Sequence, residues 1–138
     1  MKNEKLITPN FSWHEMTASP TARKHAIKNN PGPRERDALE WLVNQLLQPL
    51  RDFYGQPIRV SSGYRSAKLN RLVGGVPGSQ HTRGEAADCV TADAALLLDA
   101  LLRSGLAFDQ AILYRRRNFL HLSLRRQGNR KEVITYNS

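Results

Sequence analysis

Along residues 39–50 the apolar positions Leu39, Leu42, Val43, Leu46, Leu47 and Leu50 recur three and four residues apart, which predicts a helix with one buried face. The break Asn29-Asn30-Pro31-Gly32 precedes it, Pro33 suits its first turn, and Tyr54-Gly55 ends it. Pro49 predicts a kink, or a position where one backbone bond is dispensable. A second apolar stripe, Ala95, Leu98, Leu101 and Leu102, follows Thr91 as a capping residue and stops at Gly105. Ser12 stands three residues before Glu15, the reciprocal capping arrangement that opens a short helix. Ala67 to Leu72 reads as another short helix, closed by Gly74-Gly75. Strand patterns occupy Ile58 to Ser61, then Gln110 to Tyr114, Phe119 to Leu124 and Glu132 to Tyr136. Turns at Arg115-Arg116-Arg117-Asn118 and Gly128-Asn129 separate the last three, which predict a three-stranded meander. Helices packed around a small antiparallel sheet make an α+β fold, with residues 1–138 as one domain.

Composition narrows the classes. The net charge is +9, from 21 basic and 12 acidic residues, which favours an anionic partner: nucleic acid, anionic lipid or an anionic cell-wall polymer. A single cysteine, Cys89, excludes an internal disulfide and, placed after Asp88 in an apolar strand, reads as a small core residue. Met1-Lys2-Asn3-Glu4-Lys5 shows no secretory pattern, and no run approaches membrane-spanning length.

The chemistry is concentrated between Ser61 and Asp88 and at His121. Ser79-Gln80-His81 follows a loop rich in Gly and Pro, and Gly84-Glu85-Ala86-Ala87-Asp88 leads into a strand whose small residues let backbone pass close to a site. His121 lies between Leu120 and Leu122, which alternation sends to the opposite face, so it shares its face with Phe119 and Ser123. His81, Asp88 and His121 thus offer three ligands for one zinc. A structural zinc fills four positions, whereas a hydrolytic zinc keeps the fourth open. His14 and His25 have no converging partner and read as solvated.

These residues carry a resemblance. Through Ser62-Gly63-Tyr64-Arg65-Ser66, Leu69-Asn70, Gly74-Gly75, Ser79-Gln80-His81, Gly84, Ala86-Ala87-Asp88 and Leu120-His121-Leu122-Ser123, the chain resembles the zinc D-Ala-D-Ala carboxypeptidases and their relatives among phage endolysins, in their small single-domain branch. The resemblance implies the D-Ala-D-Ala metallopeptidase (hedgehog-like) fold, one zinc on His81, Asp88 and His121, and peptidoglycan stem peptides as substrate. It also implies that Arg65 binds the substrate carboxylate, as a planar pair of charged donors can, and that Ser79 donates to the substrate or to the zinc site. The expected protein is a monomer without a membrane or nucleic-acid partner, cytoplasmic until it reaches the cell wall, as in phage or prophage lysis.

The general base is where the chain departs from the pattern. Relatives carry an acidic residue three positions before the last zinc histidine, or at the end of the preceding strand, where this chain has Asn118 and Tyr114. Glu85 and Asp109 are the remaining carboxylate candidates. Two other readings stay open: a zinc-binding pseudoenzyme or wall-binding domain without turnover, and a nucleic-acid-binding module built on Arg115-Arg116-Arg117, Arg125, Arg126, Arg130 and Lys131. In the last, only Phe119 and Tyr136 are near enough to stack on bases.

Overall fold

The computed structural model describes residues 5–138. Its centre is a five-stranded sheet of order β3-β4-β6-β5-β7, made from β3 (Arg59–Ser62), β4 (Ala86–Val90), β5 (Gln110–Tyr114), β6 (Phe119–Ser123) and β7 (Glu132–Tyr136). A small hairpin of β1 (Leu6–Thr8) and β2 (Phe11–Ser12), which the sequence pattern did not suggest, leads into α1 (Trp13–Thr17). Ser12 caps that helix as expected, its Oγ accepting the Glu15 amide at 3.0 Å, and the Glu15 carboxylate accepts the Val60 amide at 2.8 Å. A further short helix, α2, covers Pro20–Lys24.

The main apolar helix is present, and all six of its patterned residues are fully buried. It runs as α3 (Pro33–Leu42), a π-helical stretch Val43–Leu47, and α4 (Gln48–Tyr54). Pro49 has no N–H to return to the preceding turn, and the wider π turn just before it is where the ladder absorbs that loss. Gly55, at φ 75°, closes α4. α5 (Ala67–Leu72) follows β3, capped by Ser66.

The second apolar helix, α6 (Ala94–Ser104), differs from expectation at its start and in its phase. Asp93 caps it, with its carboxylate on the Ala95 amide at 3.0 Å, while the Thr91 hydroxyl bonds the Pro57 carbonyl and Tyr54 instead. Its buried face is Ala94, Leu97, Ala100 and Leu101, so Ala95 and Leu102 point to solvent.

The α+β class stands, but the last three strands are no meander. β6 pairs antiparallel with both β4 and β5, whereas β7 lies parallel to β5 at the sheet edge. The chain after β6 crosses back to the start of β5, where the Lys131 and Glu132 amides bond the carbonyls of Phe108 and Asp109. The register sets two faces. Ala87, Cys89, Ala111, Leu113, Leu120 and Leu122 turn into the core against the helices. The other face carries Asp88, His121, Ile112 and Ile134 in one cross-strand row and Val90, Phe119, Tyr114 and Tyr136 in the next.

Candidate metal centre in a basic groove

The open face of the sheet forms the floor of a groove of about 610 Å³, walled by the loop from Gly74 to Ser79 and the 3₁₀ turn Gln80–Arg83. Asp88 from β4 and His121 from β6 are direct cross-strand neighbours on that floor. Pleating therefore puts both side chains on one side, with His121 Nδ1 3.0 Å from Asp88 Oδ1. His81 comes from the 3₁₀ turn above. Its Nε2 lies 3.4 Å from the same Asp88 oxygen, and its ring meets that of His121 edge-on at 5.1 Å. Among the described residues, these are the one set of three His, Cys, Asp or Glu side chains whose ligand atoms all fall within 4.8 Å of one another.

The hydrogen bonds around His81 decide what this cluster can hold. Its Nδ1 sits 2.7 Å from the Gly63 carbonyl, an acceptor only, so Nδ1 carries the proton. Nε2 is then a lone pair, buried and without a hydrogen-bond partner, facing a carboxylate oxygen. Two lone pairs directed at each other repel unless a cation lies between them. A carbonyl behind one ring nitrogen and a free lone pair on the other is the arrangement of a metal-binding imidazole. Burial alone would raise the Asp88 carboxyl, but the hydrogen bond from His121 outweighs it and holds the group well below the ordinary carboxylate range. The donor set therefore fits zinc: two imidazoles and an ionised carboxylate, with space on the groove side.

Glycine makes this approach possible. A Cβ on Gly63 would stand 2.3 Å from the Met16 carbonyl oxygen, so the carbonyl that orients His81 depends on a residue without one. Gly84, at φ 74°, ends the 3₁₀ turn with its Cα against Glu35, where a Cβ would meet the Glu35 carbonyl at 2.5 Å.

The other expected residues fall as follows. Arg65 lines the groove, its amide bonded to the His81 carbonyl at 3.0 Å and its Nη1 to Asn70 Oδ1 at 3.0 Å. Its Nε is buried with no partner, and burial lowers the affinity of the guanidinium for its proton while the charge of Asp88 raises it. Ser79 also lines the groove and caps the 3₁₀ turn, accepting the His81 amide at 3.2 Å. Asp109 is at the groove but 0% exposed. Both its oxygens are engaged, Oδ1 by the Arg130 amide and Nε, Oδ2 by Arg130 Nη2 at 2.7 Å and Gln80 Nε2 at 3.1 Å. The Arg130 hydrogen bonds hold its carboxyl below the ordinary range. Glu85 pairs with Arg83 at 3.1 Å and lies outside the groove lining. Asn118, with φ 56°, turns its side chain to α6, accepting the Ala94 amide at 2.8 Å and donating to the Ala92 carbonyl. His14 and His25 are exposed, and Cys89 is buried, its thiol pushed far up by the apolar surroundings.

Three features of the site escaped the sequence reading. Gln80 bridges Glu85 and Asp109 beneath the groove, a link visible only in three dimensions. The Gly63 carbonyl is a backbone partner with no residue signature. Tyr114 completes an aromatic row, stacked on Phe119 at 4.5 Å and tilted against Tyr136 at 5.4 Å, with the Arg117 guanidinium above the first two rings. The parallel placement of β7 that brings Tyr136 beside it was not predicted. Neighbouring rings and Arg117 lie against Tyr114.

No helix among the described residues is long and apolar enough to cross a membrane. A comparison with curated proteins finds no match. The family model described as Peptidase M15 matches residues 9–123, which spans the capped first helix, most of the groove lining and all three candidate ligands. With most of its length matched, this chain belongs to the Peptidase M15 family of metallopeptidases.

Proposed function

We propose that the protein is a zinc-dependent peptidase acting on the stem peptides of peptidoglycan, with His81, Asp88 and His121 as the zinc ligands. The observation that carries this reading is the orphaned, deprotonated Nε2 of buried His81 facing the Asp88 carboxylate, in a chain of the Peptidase M15 family. When bound, zinc supplies Lewis acidity, drawing charge from a scissile carbonyl and making water a nucleophile near neutral pH. The chain's own residues do the rest. The Gly63 carbonyl fixes the tautomer and ring plane of His81. Arg65, held by Asn70 and with its Nε unanswered, takes the substrate carboxylate at the groove wall. Ser79, whose oxygen accepts the His81 amide, keeps its O–H to donate into the groove. The high positive charge favours an anionic wall polymer as the docking surface.

A second reading, a zinc-binding wall-recognition domain without turnover, is favoured by one set of observations. Asp109 is committed to Arg130, Glu85 lies off the groove, Asn118 is spent on α6, and Tyr114 stands in a ring stack with its hydroxyl raised further from ionisation by burial. Incubating the zinc-loaded protein with purified peptidoglycan and assaying released D-Ala and peptide fragments separates the two readings. Turnover that is lost in His121→Ala establishes the peptidase; zinc binding and wall retention without turnover establish the recognition domain and overturn the first reading.

A further inference from the structure

Arg65, Arg83, Arg125 and Arg130 line the groove, and two of them are already answered by carboxylates. Arg83 pairs with Glu85 at 3.1 Å and Arg130 with buried Asp109 at 2.7 Å. Neither Arg65 nor Arg125 forms an ion pair among the described residues. The next residue shows the contrast: Arg126 pairs with Asp37 and lies over the Trp41 ring at 4.2 Å.

The backbone of Arg125 is held in place. Its amide donates to Asn129 Oδ1 at 2.8 Å and its carbonyl accepts from Asn129 Nδ2 at 2.9 Å, so one asparagine clasps both sides of the residue. β3 and β6 both pair antiparallel with β4 and therefore run in the same direction. Arg65 follows the C-terminal end of β3 and Arg125 that of β6, at one end of the sheet. The two strands are two spacings apart, about 10 Å, with the strand that carries Asp88 between them.

We infer that Arg125 is a second carboxylate-binding side chain of this groove, so that the peptide it accepts carries two anionic groups, one held by Arg65 and the other by Arg125. This deepens the stem-peptide reading and rests on it. The ligand chemistry is a peptide with a terminal carboxylate and a further free one. A glutamate joined through its side-chain carboxyl supplies the latter, since its α-carboxylate stays free. A guanidinium takes such a group with two parallel donors, and amidation of that carboxyl removes the attraction.

Calorimetric titration of the zinc-loaded protein with L-Ala-γ-D-Glu-L-Lys-D-Ala, and with the same peptide carrying an α-carboxamide on the glutamate, tests this. The wild type is expected to bind the free acid about tenfold more tightly than the amide. Arg125→Ala is expected to bind both peptides with the affinity the wild type shows for the amide, and that retained affinity reports an intact fold. Arg115→Ala, an exposed arginine outside the groove lining, keeps the preference. A wild type without preference, or an Arg125→Ala that keeps it, overturns the second carboxylate site while the peptide site stands. Failure of the wild type to bind either peptide overturns the stem-peptide reading and this inference together.

Discussion

His81 owes its place in the site to an atom that is not a side chain. The Gly63 carbonyl accepts the hydrogen bond from its Nδ1–H and leaves Nε2 aimed at Asp88. Sequence gave the three ligand types and their order along the chain, because strand alternation settles which way His121 points. It gave nothing on this second layer, since a backbone carbonyl has no identity to read. The same limit applies to Asp109. As a carboxylate near the strand start it was a candidate base. Its burial and its Arg130 contacts make it the anchor that returns the chain to pair β7 with β5. The native carboxyl sits below its ordinary value of about 4, so the native state binds fewer protons than the unfolded chain. Its contribution is therefore complete above about pH 4 and lost as the pH falls through the native value. Asp109→Asn is expected to cost about 2 kcal/mol at pH 7, a modest figure for a buried group because Arg130 is half in solvent. In denaturant titrations the difference from wild type should close below about pH 4; a difference that is constant down to pH 2 would show that the ion pair does not carry it.

At the scale of elements, the patterned helix at residues 33–54 was legible because burial and periodicity agree over many turns, and its six core positions are all sealed. α6 was misplaced in phase because Leu96, Leu97, Leu98, Leu101 and Leu102 allow more than one stripe, and packing on α4, β5 and β6 selects Leu97 and Leu101. Asn118 shows an element making use of a residue that looked like a lost catalytic group. It takes a left-handed turn conformation and serves as a second cap for α6. Asn118→Ala should therefore lower stability by about 1–2 kcal/mol, seen as a drop in melting temperature, and Asn118→Asp should leave turnover unimproved because the side chain faces the helix. The loop wall offers a sharper test. A Cβ at Gly75 would stand 2.1 Å from Asn70 Oδ1 and 2.8 Å from Arg65 Nη1, so the buried amide that holds Arg65 must give way. Gly75→Ala is expected to lower the melting temperature and to raise KM several-fold by displacing Arg65. An unchanged KM in steady-state kinetics would remove Arg65 from the carboxylate role.

Over the whole molecule, the fold uses one face of a single sheet for its core and leaves the other to the groove, with the ligand row and the aromatic row one pleat apart. The α+β class was readable from alternating segments of two periods. The pairing of β7 was not, because parallel order at an edge depends on contacts between residues more than twenty positions apart, such as Lys131 with Phe108 and Arg130 with Asp109. Charge was legible as a sum and not as a distribution: ion pairs answer two of the four groove arginines and leave Arg65 and Arg125 without one among the described residues. Zinc that binds only the folded chain must stabilise it, by about 2.7 kcal/mol at a hundred times Kd. For a domain of this size that corresponds to a rise in melting temperature of roughly 5–10 °C.

Zinc content per chain, measured by elemental analysis of the wild type beside His121→Ala, tests the central claim most directly. The account predicts about one zinc per wild-type chain and loss of that zinc in the variant; a wild type that takes up no zinc, or a variant that keeps it, would contradict the assignment of His81, Asp88 and His121 as a metal centre.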